Sequence, residues 1–246
     1  MNHMKLFRYS GNKVRLIKHY KKPPQDVKRI VEPYLGSGAF LLTSDKPGLG
    51  IEINDDIVSM WKWLQATTPE ELKNLYQLVE DKKTAEHKPD SRTLGLDIGP
   101  LTYVRINTTG VITGQLTAWK IYPQYSLPIE STIKCLERIK DIEIRQGDAS
   151  SYIHVDGDLL FIDPPYIGTT AGYVEKTKKD HEKAFDPKSV DQVINSTSNP
   201  IIFTYGEGAP DIFPQYKWEV VARIKVPNLR RGGTVDRTEW VSYINW

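Results

Sequence analysis

Asp158-Leu159-Leu160-Phe161-Ile162-Asp163-Pro164-Pro165-Tyr166 is the stretch that decides the fold. A charged residue leads into four apolar ones, followed by a carboxylate, two prolines and an aromatic ring. The apolar run predicts a short strand of a parallel sheet, because a strand covered on both faces loses the polar alternation of a half-exposed one. Pro164 ends it, having no N–H for the ladder. Asp163 then stands at the carboxyl end of a central strand, where open α/β sheets place their ligand crevices. The prolines stiffen the turn: each fixes its own φ, and the first pushes Asp163 towards extended backbone. A stiff corner carrying an acid, carbonyls and a Tyr ring suits gripping a flat heterocycle with an exocyclic amine. The acid and a carbonyl accept the amine's hydrogens while the ring stacks on the base. A plain proline turn after a core strand is the other reading of these four residues.

Working outward, Arg29-Ile30-Val31-Glu32-Pro33-Tyr34-Leu35-Gly36-Ser37-Gly38-Ala39-Phe40-Leu41-Leu42 reads as strand, glycine turn and apolar helix start. The glycines allow a sharp turn and close backbone approach to a ligand. The next strand, Leu49 to Ile53, carries the acid Glu52 near its end, placed to hold ribose hydroxyls as in other nucleotide-binding βαβ units. Asn54-Asp55-Asp56 caps a helix with Ile57, Met60, Trp61 and Leu64 on one face. Thr68-Pro69-Glu70-Glu71 is a capping box whose helix buries Leu72, Leu75, Tyr76 and Val79. A polar stretch from Asp81 to Pro100 reads as loop.

Tyr103-Val104-Arg105-Ile106-Asn107-Thr108-Thr109-Gly110-Val111-Ile112-Thr113 alternates around a turn-forming Asn-Thr-Thr-Gly and predicts a β-hairpin. On such a hairpin Arg105 and Asn107 can reach base edges, or the arginine instead touches a phosphate or a carboxylate. Gln115 to Pro128 is aromatic and proline-rich, and Glu130 to Lys140 is a helix with Ile133, Leu136 and Ile139 facing inward. Ile142 to Asp148 returns to strand, ended by an acid. Thr169 to Ala184 is polar, with Tyr173 in its first part, and fits a mobile loop that orders around an extruded nucleotide. Pro187 to Ser196 is a helix and Ile201 to Thr204 a buried strand. Trp218 to Val226 and Glu239 to Ile244 form an antiparallel edge pair joined by a loop with Arg230 and Arg231.

Composition narrows the class. The chain has 246 residues, 39% apolar and 26% charged, in the range of a globular protein with a sizeable core. It has no run of eighteen apolar residues and no apolar h-region at the N-terminus, which argues against membrane spanning and secretion. A single cysteine, Cys135, excludes a disulfide framework and suits a reducing cytoplasm, and it is expected in the core. Five scattered histidines suggest no metal site. Net charge is +2, but nine basic residues and one acid lie between Lys5 and Arg29, and Arg223, Lys225, Arg230 and Arg231 cluster later. These clusters either neutralise phosphates or form solvated surface.

The order of these parts resembles the Dam-like group of S-adenosylmethionine-dependent adenine-N6 DNA methyltransferases: an aromatic-x-Gly-x-Lys segment (Tyr9 to Lys13), glycine turn, inserted region, then Asp-Pro-Pro-Tyr. The resemblance implies an α/β, Rossmann-like methyltransferase sheet, mostly parallel with an antiparallel edge strand. Residues 1–56 and 142–246 would form the catalytic domain, and 57–141 an inserted helical and β-hairpin target-recognition region. It implies Asp163, Pro164, Pro165 and Tyr166 as catalytic residues. For the cofactor it implies Tyr9, Asn12, Lys13, Glu32, Tyr34, Gly36, Ser37, Gly38, Phe40, Glu52, Ile53, Asp148, Ala149 and Asp163, with Lys13's segment closing over the methionine end. Arg105, Asn107, Tyr173, Arg230 and Arg231 would meet DNA. S-adenosylhomocysteine would be the product, no metal would be needed, and duplex DNA, with GATC by analogy, would be the partner of a monomer, or of a dimer on DNA, in a bacterial or phage-infected cytoplasm. Glu52 stands where many relatives have Asp, and the segment from Glu52 to Asp148 is short for the group. Cytosine N4 or RNA as acceptor, or a silent nucleic-acid-binding relative, are the other readings.

Overall fold

The computed structural model describes residues 6–7, 13–83, 89–108, 120–166, 186–227 and 234–246. Among them seven strands form one sheet: β1 (Arg29–Glu32), β2 (Gly48–Glu52), β3 (Ile142–Gln146), β4 (Asp158–Ile162), β5 (Ile201–Tyr205), β6 (Glu219–Pro227) and β7 (Thr234–Ile244). Their order is β3-β2-β1-β4-β5-β7-β6. The first five pair in parallel, and β7 runs antiparallel to both its neighbours. This is the Rossmann-like sheet, mostly parallel with an antiparallel edge, expected from the sequence. The chain builds β1, β2 and β3 in one direction and then returns to add β4 on the other side of β1. The β1–β4 seam is therefore the topological switch point.

Helices cover both faces: α1 (Ala39–Thr43), α2 (Asp55–Ala66), α3 (Pro69–Lys82), α4 (Ile98–Thr108), α5 (Ile129–Lys140), α6 (Pro187–Asn195) and α7 (Ala209–Ile212). The strand period of two sorts the apolar run of β4 between two cores. Leu159 and Phe161 join Ile30 and Ile202 against Leu41, Trp61 and Leu136. Leu160 and Ile162 join Val31 and Phe203 against Val190, Val193 and Ile194 of α6. Cys135 is fully buried in the first core, as expected. In β2, Leu49 and Ile51 enter the second core while Gly48 and Gly50 turn towards α1. A Cβ at Gly50 would stand 2.5 Å from Leu35, and one at Gly48 2.7 Å from Leu41. Among the described residues no helix is long and apolar enough to cross a membrane.

The predicted caps hold. Asn54 Oδ1 accepts from the Asp56 and Ile57 N–H groups at the start of α2. Thr68 and Glu71 form the reciprocal capping box on α3, whose Leu72, Leu75 and Val79 are buried while Tyr76 is exposed. The polar segment read as loop contains regular structure among its described residues: α3 runs to Lys82, a 3-10 turn spans Ser91–Leu94, and α4 starts at Ile98. After Lys13 the chain forms a 3-10 turn, Ile17–His19, with Leu16 and Tyr20 buried beside it. β7 begins five residues before the expected Glu239.

The expected hairpin is wrong in its first arm, which is helix α4. Its residues alternate like a strand, but the helix is buried nearly all round, so no stripe of period 3.6 appears in the sequence. Gly99 permits this, since a Cβ there would meet Trp63 at 2.6 Å and the Ser59 carbonyl at 2.9 Å on α2. The polar side chains are accommodated internally: Asn107 Nδ2 donates to the Tyr103 carbonyl and Thr108 Oγ1 to that of Val104. Packing against α2 overrides the β-preference of Tyr-Val-Arg-Ile. Residues 109–113 lie outside the described part.

Glu32, at the end of β1, is 3% exposed and accepts from the Leu41 N–H at 2.7 Å. It supplies the cap that Gly38, the N-cap of α1, lacks. Burial pushes its carboxyl up from 4.5 to about 8, against the pull of the Leu41 and Phe40 N–H groups. The folded chain thus holds this proton where the unfolded chain has released it. The associated stability is complete below pH 4.5 and is lost as pH rises through about 8. Glu32→Gln keeps an acceptor oxygen for Leu41 and removes the titration. Its Tm, followed by circular dichroism, should decline less over that window than that of the parent chain; parallel declines would contradict the assignment.

Candidate active site

The carboxyl ends of β2, β1, β4 and β5 line up along one edge, about 4.8 Å apart. They present in turn Glu52, the glycine turn, Asp163 and the Tyr205–Gly206 pair. Glu239 joins them from β7, whose Trp240 pairs with Tyr205. Asp163 and the glycine turn thus flank the switch point.

The glycine turn is braced on several sides. Gly36 and Gly38 have φ of 43° and 58°, the left-handed region that favours glycine. The Leu35 N–H donates to the Ile51 carbonyl and the Gly36 N–H to Glu52 Oε2 at 3.1 Å. Trp61 Nε1 donates to the Gly36 carbonyl at 3.1 Å, and its ring lies where a Cβ at Gly38 would stand, 2.7 Å away. The sequence showed Trp61 only as an apolar helix position, since nothing in a heptad marks an indole aimed at a distant carbonyl. Ser37 is buried in the turn.

Glu52 also accepts from the Asn54 N–H at 2.9 Å. Burial raises its carboxyl above the usual range, opposed by the Asn54, Gly36 and Ile53 N–H groups. A carboxylate offers about four acceptor sites, so capacity remains for a diol. Beside it Ile53 is 66% exposed, an apolar side chain standing open at the carboxyl edge of the sheet. Asp148 is exposed and caps the 3-10 turn Ala149–Ser151, whose Ala149 is buried in the second core. The Tyr34 hydroxyl lies beside Ser189, with burial pushing it up to about 12. Phe40 is turned inward, stacked on Phe161 at 4.7 Å and 9°, so its ring belongs to the core.

Asp163 is the centre of a polar cluster. Thr204 Oγ1 and the Tyr166 hydroxyl donate to its Oδ1 at 3.0 and 3.2 Å. The Lys13 ammonium lies 3.0 Å from Oδ2 and 2.9 Å from Oδ1. Lys13 is 2% exposed, donates to the Tyr166 hydroxyl at 2.6 Å, and sits 5.0 Å from that ring's centroid. Tyr166 also reaches Glu239 Oε2 at 3.1 Å. Its hydroxyl is pushed well above its ordinary value by burial and then by Asp163 and Glu239. Pro164 is buried and Pro165 half-buried beneath the corner. Glu239 and Thr204 were not singled out in the sequence: a glutamate on an edge strand and a threonine in an apolar run carry no motif.

Arg105 and Asn107 are 2% and 0% exposed, with Arg105 Nη1 3.9 Å from Asp56 on α2. Base reading by this pair is corrected: on a buried helix neither side chain reaches the surface, and the arginine faces a carboxylate. Tyr9, Asn12, Tyr173, Arg230 and Arg231 lie outside the described residues. Among the described residues, no group of three or more His, Cys, Asp or Glu could hold a metal ion.

The arrangement defines a Rossmann-like α/β fold with an acidic corner at its switch point. No family model matches the chain. Among solved structures, it is similar to a dimethyladenosine transferase from Plasmodium falciparum, at 12% identity and a TM-score of 0.42 over 97% of this chain. The chain spans 62% of that protein.

The seat of Tyr166 yields a test. A Cβ at Gly206 would stand 2.6 and 2.8 Å from Tyr166 Cε2 and Cδ2, so Gly206→Ala must push the ring and with it the hydroxyl at Asp163. A displacement near 1 Å costs on the order of 10²-fold in turnover. The variant should keep its melting temperature within a few degrees and lose activity on that scale; full activity would show that the ring's position does not matter.

Proposed function

We propose that this protein transfers the methyl group of S-adenosylmethionine to N6 of an adenine swung out of duplex DNA. The observation that carries the reading is the amine already seated at Asp163. The corner after β4 holds the chain's own Lys13 nitrogen at 2.9 Å, and an exocyclic amine offers the same N–H donors. The neighbouring residues suit the cofactor. Glu52 has acceptor capacity for ribose hydroxyls, Ile53 offers apolar cover to an adenine ring, and the turn at Gly36 to Gly38 lets backbone approach. Asp148 stands at the adjacent strand end for the purine amine.

When bound, S-adenosylmethionine supplies a methyl made electrophilic by its sulfonium, leaving S-adenosylhomocysteine. The chain's residues then position and polarise. Asp163 and the Pro164 carbonyl accept the two amine hydrogens and aim the nitrogen lone pair. The Asp163 carboxylate stabilises the positive charge that develops on nitrogen, and the surplus N6 proton then leaves to water. Tyr166 offers a ring face to the base, and Thr204 holds Asp163 in its orientation. Extruding the base from a duplex costs a few kcal/mol. Contacts to phosphate would offset this, and β6 and β7 continue as a two-stranded ribbon beyond the end of β5, carrying exposed Arg223 and Arg237. Arg230, Arg231 and Tyr173 are placed at the DNA by the Dam-like resemblance, as are a monomeric state and a short site such as GATC.

Purified protein should transfer labelled methyl from S-adenosylmethionine to adenine in duplex DNA, identified as N6-methyladenine by mass spectrometry of digested nucleosides. Asp163→Ala should abolish this while keeping the parent chain's fold by circular dichroism. Equal incorporation by the variant would overturn the site. N4-methylcytosine, or transfer confined to RNA, would change the acceptor, and cofactor binding with no transfer to any nucleic acid would end the enzymatic reading.

A further inference from the structure

Asp163 cannot take a target amine in the arrangement seen, because Lys13 occupies it. The ammonium touches both carboxylate oxygens and stands over the Tyr166 ring. At 2% exposure it has no route into water without opening the site, and a buried ammonium that leaves one anion must find another. One lies within reach. Glu239 Oε2 is 3.8 Å from Lys13 Nζ, a little beyond a charge-assisted hydrogen bond. Glu239 is 8% exposed, and its position is fixed by the Tyr166 hydroxyl at 3.1 Å. That hydroxyl bridges the two acids, so a shift of the ammonium from one to the other passes along a path already lined with oxygen.

We propose that Glu239 is a positioning residue that receives the Lys13 ammonium when the acceptor's amine takes its place at Asp163. The inference rests on the methyltransferase reading above. To free that place the ammonium moves by about 3 Å, the closest approach of two such nitrogens, to a point within ordinary N–H···O length of Glu239 Oε2, and the move makes and breaks no covalent bond. It clears both the Asp163 oxygens and the side of the Tyr166 ring that the ammonium covers. Glu239 thereby stabilises the acceptor-bound state and the transition state alike, so its loss weakens acceptor binding and leaves the chemical step nearly unchanged.

The test compares steady-state methyl transfer to an adenine-containing duplex by the parent chain, Glu239→Gln, Glu239→Asp, Lys13→Met and the Lys13→Met/Glu239→Gln double variant. The melting temperature, followed by circular dichroism, reports that each variant is folded. Glu239→Gln should raise KM for the duplex about tenfold and change kcat by less than roughly threefold, and Glu239→Asp should recover part of the KM. The double variant should be no worse than Lys13→Met alone, because no ammonium remains to be rehoused. A fall in kcat at constant KM, an unchanged Glu239→Gln variant, or full additivity in the double variant would each overturn the proposal while leaving methyl transfer by the parent chain intact. Absence of transfer by the parent chain would overturn the functional reading itself, and this inference with it.

Discussion

A sheet with helices on both faces leaves its strands only their ends to offer. Leu159 to Ile162 of β4 are each committed to one core or the other, so polar chemistry is displaced to the two ends of the strand. At one end this produces a clamp: Arg29 meets Asp158 through Nε and Nη2, both at 2.8 Å, and Tyr152 adds its hydroxyl at 2.9 Å. That pairing fixes β1 against β4 in register. At the other end the same registration brings the glycine turn beside Asp163. The geometry of the site is thus inherited from the packing of the strand interiors, and the polar residues at the edge need only short reaches to find one another.

How much of this is legible in the sequence follows from where each signal arises. The βαβ start, the caps on α2 and α3, the buried strands β4 and β5 and the antiparallel edge could be read because each depends on local pattern. Helix α4 could not. A helix enclosed on every side has no polar face to mark its period, and its β-branched residues mimic alternation. In the site, Asp163, Glu52 and the glycines announce themselves by motif and by position at strand ends. Trp61, Thr204, Gly206 and Glu239 do not, because each matters through a contact with a residue distant in the chain. Lys13 was legible as part of a segment but not as the partner of Asp163, 150 residues away.

The two buried acids near the glycine turn show how one residue type is used differently. Glu32 is spent on the first turn of α1 and is pushed towards its neutral form by burial. Glu52 ties the turn to the end of β2 by accepting from the Gly36 and Asn54 N–H groups. Both are buried, and only their partners distinguish them.

The position of β4 also shapes how the chain comes to be assembled. β1 sits in the middle of the finished sheet, yet the strand that covers one of its edges begins 129 residues after Arg29. At ribosomal speeds of about 5–20 residues per second, that edge waits on the order of ten seconds for its mate. During this interval the segments of α2 to α5 have already emerged and can gather against the other strands, so the nascent chain carries a half-built sheet with an open, hydrogen-bond-hungry flank.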